Sequence, residues 1–264
     1  MITSLGRTLL SFPQWLGRLC FLLVDMFVEL FRLLRRKYNW SLWGTLRTQV
    51  LLQVWYTAIQ ILPLLALIAV GLGGVLLGFG FGLLRQLGAE EIFLPLLQYG
   101  ILGEGLPLGL TLIILARSST AITADVATQV VNGDLDVMKA HGMSIPLLIT
   151  TPRLLGLLLS FLSVFGIFIG ILIGSTLLWA PLVDVTTQQL YQIWTNALTL
   201  TEFEWIGIKL ILHALLIGAI ACYSGLHIRR DIREVPKASS QAVMLTLAGV
   251  FLLEGVLLFI RWFR

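Results

Sequence analysis

Apolar stretches about 20 residues long recur along this sequence, each enough to carry a helix across a hydrocarbon core of about 30 Å. They cover residues 50–84, 92–116, 154–179, 205–226 and 242–260. In lipid no water is available to backbone N–H and C=O groups, so each stretch must satisfy its own hydrogen bonds as a helix. Composition agrees: 58% of residues are hydrophobic, 12% are charged, and the mean hydropathy is +0.93. Soluble globular chains do not reach such values. The predicted fold class is an all-α polytopic membrane protein of five transmembrane helices, forming a single domain over residues 1–264.

The segments between the spans set its orientation. Residues 4–34 intersperse Trp15, Arg18, Asp25, Glu29 and Arg32 with apolar positions. That texture suits an amphipathic helix lying in the interface, and a crossing helix over 8–31 is the alternative. Arg7, Pro13, Arg18 and Asp25 interrupt the first apolar stretch, so it does not read as a cleavable signal. Arg35, Arg36 and Lys37 follow beside Trp40 and Trp43, a basic cluster with aromatic anchors at headgroup level. Residues 1–47 thus form an interfacial helix and basic cluster, and 48–264 the bundle. Between the second and third spans, residues 117–153 form a polar insert from Ala116-Arg117-Ser118-Ser119-Thr120 to Thr151-Pro152-Arg153. One or two short helices are expected within 123–141, lying along the cytoplasmic face, with Pro146 and Pro152 closing the insert. With the amino terminus, this insert and residues 227–241 inside, nearly all Lys and Arg are cytoplasmic. The outside keeps Arg85, Arg261 and Arg264. The positive-inside bias therefore gives an N-in, C-out topology.

Within the spans, glycine and proline mark special positions. The first span carries Gly71, Gly73, Gly74, Gly78, Gly80 and Gly82, which suit either close helix packing or a groove for a ligand chain. Gly166, Gly170 and Gly174 make a small-residue ridge expected to pack against another helix. Pro95 and Pro107 are expected kinks. Cys20 and Cys222 stand far apart without a disulfide or metal motif and read as packed apolar residues.

Few residues are placed for chemistry. No phosphate-binding G-x-x-x-x-G-K-[ST] loop occurs. His141, His213 and His227 are scattered, so no catalytic or metal residue is assigned. The net charge of +4 is too small and too unevenly placed for a nucleic-acid surface. The informative residues are Glu104, Lys209 and Glu254, ionisable groups within hydrocarbon-spanning stretches, where charge is costly. Lys209 is expected to pair with one or both carboxylates. The set serves either as an ion pair fixing helix register or as a contact for a transported group.

The order Glu104-x-x-Pro107, Leu115-Ala116-Arg117 and Thr123-Ala124-Asp125 resembles the signature of the MlaE-type, MCE-associated ABC permeases. Gly88-Ala89-Glu90, Pro152-Arg153, Ile208-Lys209 and Val235-Pro236 through Ala242-Val243 extend the likeness over essentially the whole chain. The resemblance implies a lipid-transporter permease in the bacterial inner membrane, acting as a homodimer of permease copies. It implies an ABC ATPase subunit on the cytoplasmic side, an MCE-domain protein on the periplasmic side and a phospholipid substrate in traffic between the two membranes. It also implies no cofactor of the chain's own, ATP being bound by the partner. Residues 134–142 are similar in position to the coupling helix, and Arg117, Asp125, Asp134, Asp136, Lys139 and His141 would couple to the ATPase. Glu104, Lys209 and Glu254 are similar to the family's buried charges, near a lipid headgroup. Gly74, Gly78, Phe79 and Phe81 would line the lipid cavity. The chain departs from the pattern at Phe79, Leu106, Ala116, Asp125, Gly133-Asp134 and Ser144-Ile145, which implies a divergent member whose partner ATPase differs at its docking groove. A non-transporting assembly subunit of a membrane complex is the alternative reading. A secondary transporter is weaker, since no inverted repeat is visible.

Overall fold

The computed structural model describes residues 40–263, and within them every regular element is helical. The expected interfacial helix, the basic cluster at 35–37 and Cys20 lie outside the described residues. Five helical runs are long and apolar enough to cross a membrane: α1 (Gly44–Gln86), α2 (Phe93–Asn132), α4 (Pro146–Val183), α6 (Leu200–Leu226) and α7 (Glu234–Trp262). Two shorter helices intervene, α3 (Asp134–Ala140) between α2 and α4, and α5 (Thr187–Ala197) between α4 and α6.

Each span extends past its apolar stretch, α2 on its carboxyl-terminal side alone and α6 on its amino-terminal side alone, and the polar insert is correspondingly shorter than expected. Residues 117–132 are not a loop: they continue α2. No glycine or proline interrupts 110–132, and Ile122, Val126 and Ala127 bury one side of the extension. Gly133 stops it with φ of 81°, a left-handed value that costs glycine little. At the other end α4 starts at Pro146, eight residues before 154. Proline fits a helix start because its missing N–H has no intrahelical partner there, and Leu147 to Thr150 are buried directly behind it. Pro95 and Pro107 flank a wide π-type stretch, Leu96–Gly105, and a second such stretch occupies Leu76–Phe81 in the glycine-rich half of α1. Helix α5 went unanticipated, although its amino-terminal signal is in the sequence. Thr186 and Gln189 form a capping box, with Gln189 N donating to Thr186 Oγ1 at 3.3 Å and Thr186 N donating to Gln189 Oε1 at 2.9 Å.

The described residues fall into two compact units. One holds residues up to Gln53, Ile114–Leu157 and Leu215–Phe259. Its interior joins Ile149, Leu154, Ala221, the buried Cys222, Ala242 and Val250, and hydroxyls tie its helices together. Thr123 Oγ1 donates to Ala221 O at 3.1 Å, and Ser119 Oγ lies 3.3 Å from Thr246 Oγ1. The other unit holds Val54–Ile113, Leu158–Ala214 and the carboxyl-terminal residues from Ile260. Its core includes Leu65, Ala69, Leu97, Leu102, Phe161, Phe168 and Leu172. Within it α1 and α4 meet closely: Ser175 Oγ donates to Ala69 O at 3.2 Å and Trp179 Nε1 to Val70 O at 3.1 Å. Gly73 permits this contact, since a Cβ there would fall 2.0 Å from Ser175 Oγ.

The small-residue ridge of α4 behaves differently from expectation. Gly166, Gly170 and Gly174 are exposed, and a Cβ on any of them would meet nothing within 4 Å. The apolar positions that alternate with them, Phe161, Phe165, Phe168 and Leu172, are the ones turned inward. Bulk drew the core to that side of α4 and left the glycines outward.

Candidate functional site

Along α6 the polar positions recur at helical spacing: Glu202, Trp205, Lys209 and His213 share one face. That face is buried. Lys209 is 0% exposed and His213 is 0% exposed, its Nδ1 standing 3.1 Å from Thr111 Oγ1 of α2. Lys209 Nζ pairs with Glu104 Oε2 and donates to Gly103 O at 3.3 Å. The Trp205 ring lies 6.0 Å from the ammonium. Glu104 sits in the π-type stretch of α2, a helix irregularity that commonly marks functional positions.

The pair is part of a quartet. Arg261, near the end of α7, donates from Nη1 to Glu104 Oε1 at 2.8 Å and from Nη2 to Glu202 Oε2 at 2.6 Å. Its guanidinium also lies 5.2 Å from the Tyr99 ring centroid. Gly103 makes room for it, since a Cβ there would sit 2.4 Å from Arg261 Nη1. Side-chain exposures are 20% for Glu104, 19% for Arg261 and 10% for Glu202. Two cations balance two carboxylates. Charge in a low-dielectric region persists only when paired and hydrogen-bonded, and the shared Glu104 meets that requirement for both cations at once.

Sequence reasoning found Glu104 and Lys209 and missed Arg261 and Glu202. The signals were the seven-residue spacing of Glu202 and Lys209 on one helix and the lone arginine in Leu258-Phe259-Ile260-Arg261-Trp262. Glu254, the third residue of the expected set, lies in the other unit, on α7, and is 5% exposed.

The residues of the expected coupling segment also fall in that other unit. Helix α3 stands between two left-handed glycines, Gly133 and Gly142. It buries Leu135 and exposes Asp134, Asp136, Val137, Lys139 and His141. Asp136 is held by Arg230 from the α6–α7 connection, and Asp125 of α2 by Arg153 of α4, whose other guanidinium nitrogen donates to Ile149 O at 2.7 Å. Arg117 is exposed on α2. The segment is therefore a braced platform with an exposed charged face.

The four positions expected along a lipid cavity divide. Phe81 is buried, edge-on to Phe93 with ring centroids 5.3 Å apart, and Gly74 lies under the Trp179 indole. Gly78 and Phe79 face outward, Phe79 at 74% exposure.

Comparison with known protein families matches residues 50–260 to the family model described as permease MlaE. A search of curated proteins found no match.

Proposed function

Because the chain belongs to the MlaE permease family, with the match reaching from α1 to the end of α7, it is a multi-pass membrane permease, and we propose that it is the membrane subunit of an ABC-type phospholipid transporter in the bacterial inner membrane. In this reading two copies form the conducting dimer, an ABC ATPase docks on each α3, and an MCE-domain protein takes or supplies lipid on the periplasmic side. The chain has no nucleotide-binding loop, so ATP hydrolysis belongs to the partner.

The observation that carries the reading is the neutral quartet of Lys209, Glu104, Arg261 and Glu202 within apolar spans. A purely structural bundle gains little from such a cluster, since replacing buried ion pairs by apolar residues is commonly neutral or stabilising. Ionisable groups retained at membrane depth mark a path or a recognition point. A zwitterionic or anionic headgroup exchanges with the members of the quartet: a phosphate takes the place of Glu104 beside Lys209 or Arg261, and Glu104 keeps its other cation. ATP-driven closure of the partners moves the braced platform of α2, α3 and α4, whose Asp125–Arg153 and Asp136–Arg230 pairs transmit force into the spans. Acyl chains then follow the apolar outward face at Gly78 and Phe79.

The test is Lys209→Ala in the purified complex. The expected result is lost lipid transport with the ATPase still copurifying and phospholipid still detected by mass spectrometry. Transport at the wild-type rate removes Lys209 from the path. Purification without any ATPase from the wild-type chain moves the protein to a non-transporting assembly role.

A further inference from the structure

Between the carboxyl-terminal half of α4 and the short helix α5 runs a cavity of about 540 Å³, inside the range of about 300–1,000 Å³ typical of ligand pockets. Ile173 and Leu177 of α4 face Leu190, Trp194 and Leu198 across it. Trp194 Nε1 donates to Thr176 Oγ1 at 3.1 Å, which bolts α5 to α4 at one point and holds the space beside it open. Two of the four hydroxyl-bearing residues on the wall, Thr176 and Thr195, have their hydroxyls engaged, and Thr187 and Tyr191 complete the set. Thr176 accepts that bond, and Thr195 Oγ1 donates to Tyr191 O at 2.8 Å within its own helix.

We propose that this groove holds one acyl chain of a membrane phospholipid and is indifferent to its headgroup. Three observations argue for hydrocarbon. The lining is predominantly apolar, its side-chain polar groups being the hydroxyls of Thr176, Thr187, Tyr191 and Thr195 and the bonded Trp194 indole, with no charged group among them. The last turns of α4 keep an apolar outward side, with Leu178 71% and Leu182 75% exposed, as befits a surface in lipid. Trp179, Trp194 and the exposed Tyr191 gather near the end of the span, in the manner of aromatic belts at headgroup depth. Indifference to the headgroup follows from the lining: residues 185–199 contain no Asp, Glu, Lys or Arg, so α5 offers no cation to a phosphate, and Arg85, bonded to Val183 O at the end of α4, is not among the lining residues. The groove is distinct from the charged quartet and needs only a bilayer, so it stands apart from the transport reading.

The experiment uses the full chain with its copurifying partners in lipid nanodiscs. Phosphatidylcholine and phosphatidylglycerol, each with a photoactivatable diazirine midway along one acyl chain, are the probes. Crosslinked peptides are located by mass spectrometry. The expected result is labelling at 173–177 and 187–198 that exceeds labelling at the exposed Phe251 and Phe259 of α7 and is equal for both lipids. Thr195→Phe and Leu177→Phe, both at exposed positions and so able to take the added ring, should each cut the groove labelling several-fold and leave α7 labelling unchanged. Labelling no stronger than at α7, a preference for one headgroup, or insensitivity to both substitutions would overturn the proposal. So would a cysteine at Tyr191 that crosslinks to a second copy of the chain. Transport by the wild-type complex is read in the same nanodiscs, so failure of the groove and failure of the transport reading are separable.

Discussion

Glu104→Gln should destabilise the protein more than Lys209→Met. The first change takes away the carboxylate that balances the fully buried ammonium and puts a neutral amide oxygen in its place. The second leaves Glu104 with Arg261. Stranding a buried charge costs on the order of 3–5 kcal/mol. Adding Lys209→Met to Glu104→Gln should therefore recover part of the loss, a coupling of about 0.5–3 kcal/mol readable from thermal unfolding in detergent. Strictly additive effects would mean that the pair is not coupled. Glycines give a second contrast. Gly73→Ala puts a Cβ on Ser175 and should cost about 1–3 kcal/mol by overpacking. Gly166→Ala meets nothing and should leave the stability of the isolated chain within about 0.5 kcal/mol of wild type. At this scale the sequence was legible where a charge interrupted apolar residues, as at Glu104 and Lys209. It was not legible at Arg261 and Glu202, because charges near helix ends are ordinarily cheap and snorkel to water. Only the folded chain brings those ends onto Glu104.

Helix α3 is where element-scale reasoning changes the choice of mutation. Asp134 and Asp136 look equivalent in sequence, but Asp136 is engaged by Arg230. Reversing Asp136 alone mixes two effects, lost docking and a lost brace. Asp134→Lys should release the ATPase on purification with no change in thermal stability. Asp136→Arg should weaken the platform and be rescued by Arg230→Asp, the brace being restored with its charges exchanged. An ATPase that stays bound to the Asp134→Lys protein would take α3 out of the docking surface. The extent of α2 and α4 was misjudged for a physical reason. Hydropathy reports where a helix stops being apolar, whereas a helix stops where its backbone does, at Gly133 and at Pro146. The amphipathic texture of residues 117–132 already carried the continuation in Ile122 and Val126. Helix α5 was equally available from Thr186 and Gln189, and a search for long apolar runs passes over so short a helix.

For the whole molecule, five apolar stretches became five spans, since length and hydropathy leave a backbone in lipid no other solution. Orientation rests on charge asymmetry, and reporter fusions test it directly. Alkaline phosphatase fused after Asp184 should be active, whereas fusion after Arg229 should give no activity and a green fluorescent protein there should fluoresce. The reverse pattern would place α3 on the outer face and exclude it as an ATPase platform. What hydropathy could not supply is which side of each span is free. The Gly166, Gly170 and Gly174 ridge, read as a packing surface, is uncovered within the chain because the bulkier Phe161, Phe165 and Phe168 took the inward side.

The quartet has an electrical consequence. An elementary charge moved through a membrane potential of 100 mV exchanges about 2.3 kcal/mol with the field. Lys209, Arg261, Glu104 and Glu202 sum to zero, so their joint displacement does no net work against the voltage. The permease can shift this buried charged cluster as a unit in an energised cell and in a depolarised one at the same electrical cost. Neutralising any one of the four would turn the cluster into a voltage sensor.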